Sequence, residues 1–568
     1  FPMFTNQEIV DLAEPLVFDI ECYPNYTLVA FIGLHSDKIM YFEDYHDDCD
    51  RQAGKLAWIF ANKCVIGFNS NRYDIPIGQL YMKGLDLREI NHCSHAIIKD
   101  KVPSWDIVRQ HRCPRIKTLN SIDLIEVAPL RNSLKIYAGR MHVKRMQDLP
   151  FPPNKKLNPE QRLIVRLYCI NDLQNTKTLF FKLQKEIALR EAMSRQYGTD
   201  LRSKSDAQIA EAVLVKSLRL GSTKAGPIPM GMKFFYQPPE YMQHFQTKVM
   251  RDVVRLIATT PFRINEVGKA PLPEVLKAHF NIELDGMVYK MGTGGLHSTE
   301  KNVKYESNDT HQLIDRDAAS FYPKIILNQG LYPKAIGPSF LNVYGGVVDR
   351  RLEAKAKGDM VTSDTLKITI NGTFGKLGSP YSILYTPELV VQVTLSGQLS
   401  LLLLIEKMGL AEIPVVSANT DGVVMYCPRE KEPQLNEIVK WWEDVTRFET
   451  EETRYKALYG RDVNNYVAFK DDGSIKTKGC FSNPGLSKNP QHTIVFAAAA
   501  AYWEHGTPVS VTVQACTDIR EFLILRTAKG GAVQDGQYLG AAIRFYKSTE
   551  GRDIVYAKNG NLVSLSEG

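Results

Sequence analysis

Apolar positions along the chain fall into short β-branched runs that end on acids and longer stretches at helical spacing. Leu16-Val17-Phe18-Asp19-Ile20-Glu21 reads as a strand with two acids at alternate positions, both on one side. A second apolar run, Val65-Ile66-Gly67-Phe68, leads into Asn69 and then Asp74. In YCINDLQNT, Tyr168 and Asp172 recur at helical spacing on one face. Further on, Leu313 and Ile314 lead to Asp317, which opens DAASFYP (317–323) and a turn through Ser320, Phe321, Tyr322 and Pro323. KITINGTFG (367–375) sets Lys367, Asn371 and Phe374 on one helical stripe. Two β-branched runs in IPVVSANTDGVVMY (413–426) flank Asn419-Thr420-Asp421-Gly422 and predict a hairpin with an acidic tip. Helices are expected over 209–218 and 241–259, a short basic helix over 350–357, and a buried alanine-rich helix over 494–503.

The residue types in these segments suit phosphate chemistry. A carboxylate at a strand end can hold a metal, and the turn after it can set backbone N–H groups and a flat ring beside a triphosphate. A lysine, an amide and an aromatic ring on one helical stripe suit a phosphate, a sugar edge and a base. Arg351 and Lys355 lie one turn apart in the basic helix; with Lys367 on an antiparallel partner they would put three cations toward the triphosphate, whereas a solvated basic face is the plainer reading. Upstream, Asp19, Glu21, Asp74 and Asp172 with Tyr168 could hold two metals and orient a water for hydrolysis. Each motif alone has an ordinary structural explanation, since strand ends carry acids and TDG is a common turn. Six of them in one consistent order leave little room for coincidence.

That order resembles the B-family DNA polymerases. Asp317 and Tyr322 match the family's DxxSLYP motif, as first catalytic aspartate and sugar-checking tyrosine. Lys367, Asn371 and Gly375 match its KxxxNSxYG helix, with Phe374 where tyrosine is usual, and Asp421 matches the second acid of its DTD hairpin. Asn419 stands where the first acid of that hairpin is expected; Asp315, two residues before Asp317 and on the same face of a regular strand, is a candidate to restore the charge. Asp19 and Glu21, then Asn69 and Asp74, then Tyr168 and Asp172 resemble the DxE, NxxxYD and YxxxD series of the DEDDy 3′–5′ exonucleases.

The resemblance implies an α/β and α+β multidomain chain: an RNase H-like exonuclease domain over 1–190, a connecting segment and first part of the palm over 191–340, fingers over 341–385, palm over 386–485 and thumb over 486–568. It implies two Mg²⁺ per active site, with Mn²⁺ able to substitute, held by Asp317 and Asp421 for synthesis and by Asp19, Glu21, Asp74 and Asp172 for hydrolysis, with Tyr168 orienting water. The nucleotide pocket would include Tyr322, Ser320, Phe321, Lys367, Asn371, Phe374, Arg351 and Lys355. DNA contacts would come from Phe68 and Asn69 on a frayed single strand, from Gly294 and Gly295 in a segment resembling the family's YxGG motif (or a plain glycine turn), and from Tyr466 and Lys478 near the primer. About fifty residues separate Asp317 from Lys367, and about as many separate Lys367 from Asp421, which leaves no room for the insertions of protein-primed phage enzymes. A compact phage-type polymerase extending a nucleic-acid primer is the expectation. Its implied partners are primer-template DNA, dNTPs, a single-stranded 3′ end and a processivity factor or replisome protein. It would act as a monomer in the cytoplasm of an infected bacterial host. A nuclease with a failed synthetic site and a DNA-binding scaffold are the rivals.

Composition agrees without deciding. At 568 residues, with 44% hydrophobic and 23% charged, the chain is long enough for several cores and is not broadly disordered. A net charge of +7 suits a polyanion partner. Nine scattered cysteines suggest no disulfide framework and a reducing compartment. His92, Cys93, His95, His111 and Cys113 fit no regular zinc spacing. Nothing reads as a membrane span, a signal peptide or a repeat. Because the chain starts at Phe1, and because the resemblance implies a further tail, residues are expected to be missing at both ends.

Overall fold

A computed structural model describes residues 1–45, 52–221, 226–558 and 561–565. The chain divides into two compact units. The first comprises Phe1–Ser205, Pro484–Val495 and Val513–Gly568; the second comprises Asp206–Asn483 and Phe496–Thr512.

In the first unit a five-stranded sheet has the order β3-β2-β1-β4-β5, with β1 Leu16–Tyr23, β2 Tyr26–Gly33, β3 Ile39–Asp44, β4 Cys64–Gly67 and β5 Asn120–Asp123. β1 pairs antiparallel with β2 and parallel with β4, while β4 and β5 are parallel. Strand alternation divides β1 between two cores. Leu16, Phe18 and Ile20 pack on one side with Phe31 and Phe60, and Val17 packs on the other with Tyr137, Val165 and Cys169. The helix Pro159–Lys182 lies on this second side; Asn158 caps it in a reciprocal box with Gln161, and Pro159 sits at its first turn. The same unit holds the C-terminal hairpin, Ile524–Gln534 with Gln537–Phe545. Asp148 fixes it by accepting from the Tyr538 hydroxyl at 3.1 Å and from Ala541 N–H at 2.8 Å.

The second unit is built on a ten-stranded sheet with His311–Ala318 near its middle, flanked antiparallel by Gly422–Pro428 and Thr450–Asp462. Ile314 faces a large helical core, and Leu313 faces a small cluster with Tyr455, Leu458 and Ala468. Asp315 and Asp317 therefore emerge on the face away from the helices. The spine of that core is the 24-residue helix Pro387–Leu410, apolar on nearly every side. It is long and apolar enough to cross a membrane by length and composition, although the sequence drew attention to 494–503 instead, and 78% of its most apolar window is buried inside the protein. Its buried polar groups find partners: Glu406 accepts from the backbone N–H groups of Gln246 and Thr247, and Ser400 O accepts from the Trp442 indole at 2.8 Å.

Three local expectations change. The stretch 241–259 is not one helix, because Thr247 caps a new one, Lys248–Thr259, after the short turn Glu240–His244. The basic helix is the end of a longer one, Ser339–Ala356. The alanine-rich helix Thr493–His505 forms but is not buried: Val495 and Tyr502 are each 54% exposed, with Ile494 and Ala498 as its buried side chains. Alanine supplies helix propensity there with little area to bury.

Candidate active sites

In the first unit β1 carries Asp19 and Glu21 on one side, Asp74 begins the helix Asp74–Lys83, and Tyr168 and Asp172 lie one turn apart on Pro159–Lys182. Asp74 Oδ1 accepts from Ile20 N–H at 3.0 Å, and the Cys169 thiol donates to Asp19 Oδ2 at 3.5 Å. All four acids are displaced upward in pKa. Burial is the largest cause at each, followed by mutual repulsion at Glu21, Asp74 and Asp172. Asp19 is pushed to about 6 and Asp172 to about 7, while Glu21 and Asp74 lie well above the ordinary range. The ammonium of Lys135 draws Glu21 and Asp172 back; it lies 5.7 Å from the centre of the Tyr168 ring and is held by Asp148 at 2.8 Å. Burial and the neighbouring acids push the Tyr168 phenol far up, so it remains protonated. Asp172 Oδ1 is buried with no hydrogen-bond partner. A crowd of hard oxygen donors with an orphaned carboxylate oxygen fits a divalent cation.

Phe68 and Asn69 follow β4. The Phe68 ring is 5.9 Å from that of Tyr137. Asn69 has φ +61°, and its N–H donates to Asp123 Oδ1 at 2.7 Å; Asn71 N–H donates to the other oxygen at 2.9 Å. Asp123, Lys135 and Cys169 were not singled out by the sequence. Asp123 follows the polar pair Asn120-Ser121 and a single apolar residue, Ile122, so no apolar run marked it in the sequence.

In the second unit the predicted hairpin forms between Val415–Asn419 and Gly422–Pro428. Thr420 takes a positive φ of 58° at its tip, and its N–H donates to Leu296 O at 2.8 Å. Asp317 stands directly across from Gly422. A Cβ at 422 would fall 2.0 Å from Asp317 Oδ1, so only glycine leaves that carboxylate its place. Gly295 plays the same part behind the tip, where a Cβ would meet the Thr420 backbone at 2.8 Å. Gly294 O and Gly292 O accept from the Gln398 amide at 2.7 and 2.9 Å.

Asp315, Asp317, Asn419 and Asp421 line one cavity of about 350 Å³ with Tyr455, Tyr466, Lys476 and Lys478. Lys476 Nζ lies 3.0 Å from Asp315 Oδ2, 3.4 Å from Asp317 Oδ2 and 3.2 Å from the Tyr455 hydroxyl, which also donates to Asp315. Asp315 is thus in the neighbourhood expected of it, but its charge is met by Lys476. Burial raises the Asp315 and Asp421 carboxyls, with Asp317 adding to both. Burial pulls the Lys478 ammonium down, against the attraction of Asp421. Asn419 directs its amide to Val463 O at 3.0 Å and Asn464 Oδ1 at 3.2 Å. Lys476 escaped the sequence reading although it shares a strand face with Lys478.

A second cavity of about 270 Å³ is lined by Ser320, Phe321, Tyr322, Arg351, Lys367, Asn371, Thr420 and Asp421. Arg351 donates to Ser320 Oγ at 3.1 Å. The Tyr322 ring lies 4.7 Å from Phe374 and its phenol is pushed up to about 12 by burial, then by Asp421. Lys355 instead bonds Glu451 at 2.6 Å. Six of the expected nucleotide-pocket residues therefore line one space, Phe374 backs it, and Lys355 turns to Glu451. Gly422 and the paired acids leave room at Asp317 and Asp421 for a hard cation, so the residues fit Mg²⁺ here as well.

No family model and no curated protein matches the chain. Among solved structures, the family B DNA polymerase from the hyperthermophilic archaeon Pyrobaculum calidifontis is similar to it at 16% identity and a TM-score of 0.42, over 91% of this chain and 67% of that one. A likeness at that level leaves each site to be read from its own residues.

Proposed function

We propose that the chain is a template-directed DNA polymerase that extends a primer 3′-OH with dNTPs and removes mismatched ends by 3′–5′ hydrolysis. One observation carries the synthetic half: Asp421 lines both the acidic cavity, with Asp317, and the cavity bounded by Arg351, Lys367, Asn371 and Tyr322. A triphosphate in the second cavity meets two cations along its length and carboxylates at its reactive end. Arg351 and Lys367 neutralise phosphate charge, Asn371 lines the nucleotide pocket, and the Tyr322 ring, backed by Phe374, excludes a ribose 2′-OH. Lys478 and Tyr466, partners across two strands, reach the primer side of the acids. Such phosphate contacts are independent of sequence and weaken with salt.

In the first unit, Asp19, Glu21, Asp74 and Asp172 would hold the cations for hydrolysis, and the protonated Tyr168 donates a hydrogen bond that orients the attacking water. Phe68 offers a face on which an unpaired base stacks. The strand order of this unit, with β2 antiparallel in an otherwise parallel β1-β4-β5 core, supports the RNase H-like reading. Two Mg²⁺ per site, with Mn²⁺ as substitute, supply stabilisation of the attacking and leaving oxygens. The short spacing between motifs supports extension of a nucleic-acid primer in phage-type replication.

Asn419 favours a second reading, hydrolysis without synthesis, because its amide replaces an acid and is tied to Val463 and Asn464. A labelled primer-template with Mg²⁺ separates the two. Extension with dNTPs and 3′ shortening without them support the proposal; shortening under both conditions leaves the nuclease alone.

A further inference from the structure

Beside the hydrolytic acids sits a sulfur that hydrolysis does not call for. Cys169 follows Tyr168 on the helix Pro159–Lys182 and is fully buried. Its Sγ and one carboxylate oxygen each of Asp19 and Glu21 all lie within 4.8 Å of one another, and this is the group of three metal-capable side chains found among the described residues. A second observation comes from the acid one helical turn from Tyr168. Asp172, 9% exposed, keeps its buried Oδ1 without a partner, and its charge acts on both Glu21 and Cys169. Hard carboxylates alone favour Mg²⁺ or Mn²⁺, and a thiolate added to them shifts preference toward softer ions.

We propose that Cys169, Asp19 and Glu21 form a binding site for a thiophilic divalent cation of the Zn²⁺ or Cd²⁺ class, and that its occupation blocks hydrolysis while leaving synthesis untouched. On binding, the metal–sulfur bond forms as the S–H bond gives its proton to solvent; no oxidation state changes. The metal draws Asp19 and Glu21 toward sulfur and out of the arrangement that would serve hydrolysis. The synthetic cavity holds oxygen and nitrogen donors and no cysteine, so it has no comparable affinity for soft ions. The blocking of hydrolysis rests on the function proposed above; the site itself does not.

Cd²⁺ is the probe, because a cadmium thiolate absorbs in the ultraviolet where Mg²⁺ complexes do not. The intact protein, Cys169→Ser and Cys169→Ala are titrated with CdCl₂ in excess Mg²⁺, and each variant's spectrum is subtracted from the wild type's to remove the other cysteines, including Cys93 beside His111. The expected result is one cadmium–thiolate chromophore in each difference spectrum, saturating at one equivalent. In parallel, Cd²⁺ inhibition of single-strand shortening should weaken about ten-fold or more in Cys169→Ser, with primer extension unaffected in either protein. A flat difference spectrum, or equal Cd²⁺ sensitivity of hydrolysis in wild type and variant, overturns the proposal. If no protein shortens single strands at all, the hydrolytic reading fails, and the difference spectrum still decides the site. Two variants guard against a fold lost to one substitution.

Discussion

In the first unit Asp19, Glu21, Asp74 and Asp172 crowd together with Lys135 as a nearby cation, whereas in the second Asp315, Asp317 and Asp421 share their cavity with Lys476 and Lys478. The first centre has surplus negative charge that its own side chains do not balance, and its acids rise toward neutrality through burial first and mutual repulsion second. The second carries an internal counter-ion: Lys476 bridges Asp315 and Asp317 and holds that side of the centre without help. Both arrangements suit Mg²⁺, but they differ in what metal is needed for. Cations would relieve repulsion at the first centre, while at the second they would add to a site that is already partly neutralised.

The contrast breaks most sharply at Asp172. On the proposed roles, Asp172→Asn removes a metal-holding charge from the first centre and should slow single-strand hydrolysis on the order of a thousandfold, the several kcal/mol that a metal-held charge supplies. Primer extension measured on the same preparation should stay within a few fold. Equal loss of both activities would mean that the two centres are not independent.

Gly422→Ala tests the second centre by space alone. With a Cβ 2.0 Å from Asp317 Oδ1, the carboxylate must move, and a shift of that order costs about a hundredfold in synthesis. Hydrolysis serves as the control; unchanged extension by the variant would show that Asp317 need not stand where it does.

Lys476→Met probes the internal counter-ion. Asp315 is buried while the Lys476 side chain is 34% exposed, so the loss is about 1–2 kcal/mol by urea denaturation, below that of a fully buried pair. Adding Asp315→Asn should recover much of it, since the stranded charge is then gone. An additive double variant would deny the pairing. The single variant Asp315→Asn should also slow incorporation if that acid stands in for the one missing at Asn419.

Stability against pH tests the first centre without an activity assay. The folded chain holds Asp19 to about 6 and Asp172 to about 7, above the ordinary aspartate value of 3.8. Between those limits the folded state binds more protons than the unfolded one. The contribution of these groups is therefore fully present below the unfolded value, declines as pH rises through the folded values, and stays lost above them. Metal-free protein should thus lose thermal stability from about pH 4 to about pH 7, and Mg²⁺ should restore a few degrees on the alkaline side. Asp172→Asn should flatten both trends in calorimetry.

Much of both centres was legible because their acids end or punctuate regular elements. Alternation along β1 put Asp19 and Glu21 together, helical spacing paired Tyr168 with Asp172, and the Asn-Thr-Asp-Gly tip formed as a hairpin. The countercharges were not legible. Lys476 comes from a strand far along the chain, and only sheet order brings it to Asp315. Cys169 looked like one of nine scattered cysteines until the helix turned it onto Asp19. Lys355 shows the reverse: its spacing from Arg351 was right, yet Glu451, brought alongside by the sheet, draws it off. Burial misled at 494–503 because alanines make a helix without giving it much to bury, while the helix that anchors the second unit, Pro387–Leu410, mixes serines and glutamines whose hydrogen bonds only the fold reveals.

The claim that two separate acid centres divide synthesis from hydrolysis is tested most directly on one gel, with wild type, Asp421→Ala and Asp19→Ala on a labelled primer-template, each with and without dNTPs. Asp421→Ala should shorten the primer and never lengthen it, and Asp19→Ala should lengthen it and never shorten it. Primer extension by Asp421→Ala would contradict the assignment of synthesis to the cavity that Asp317 and Asp421 share.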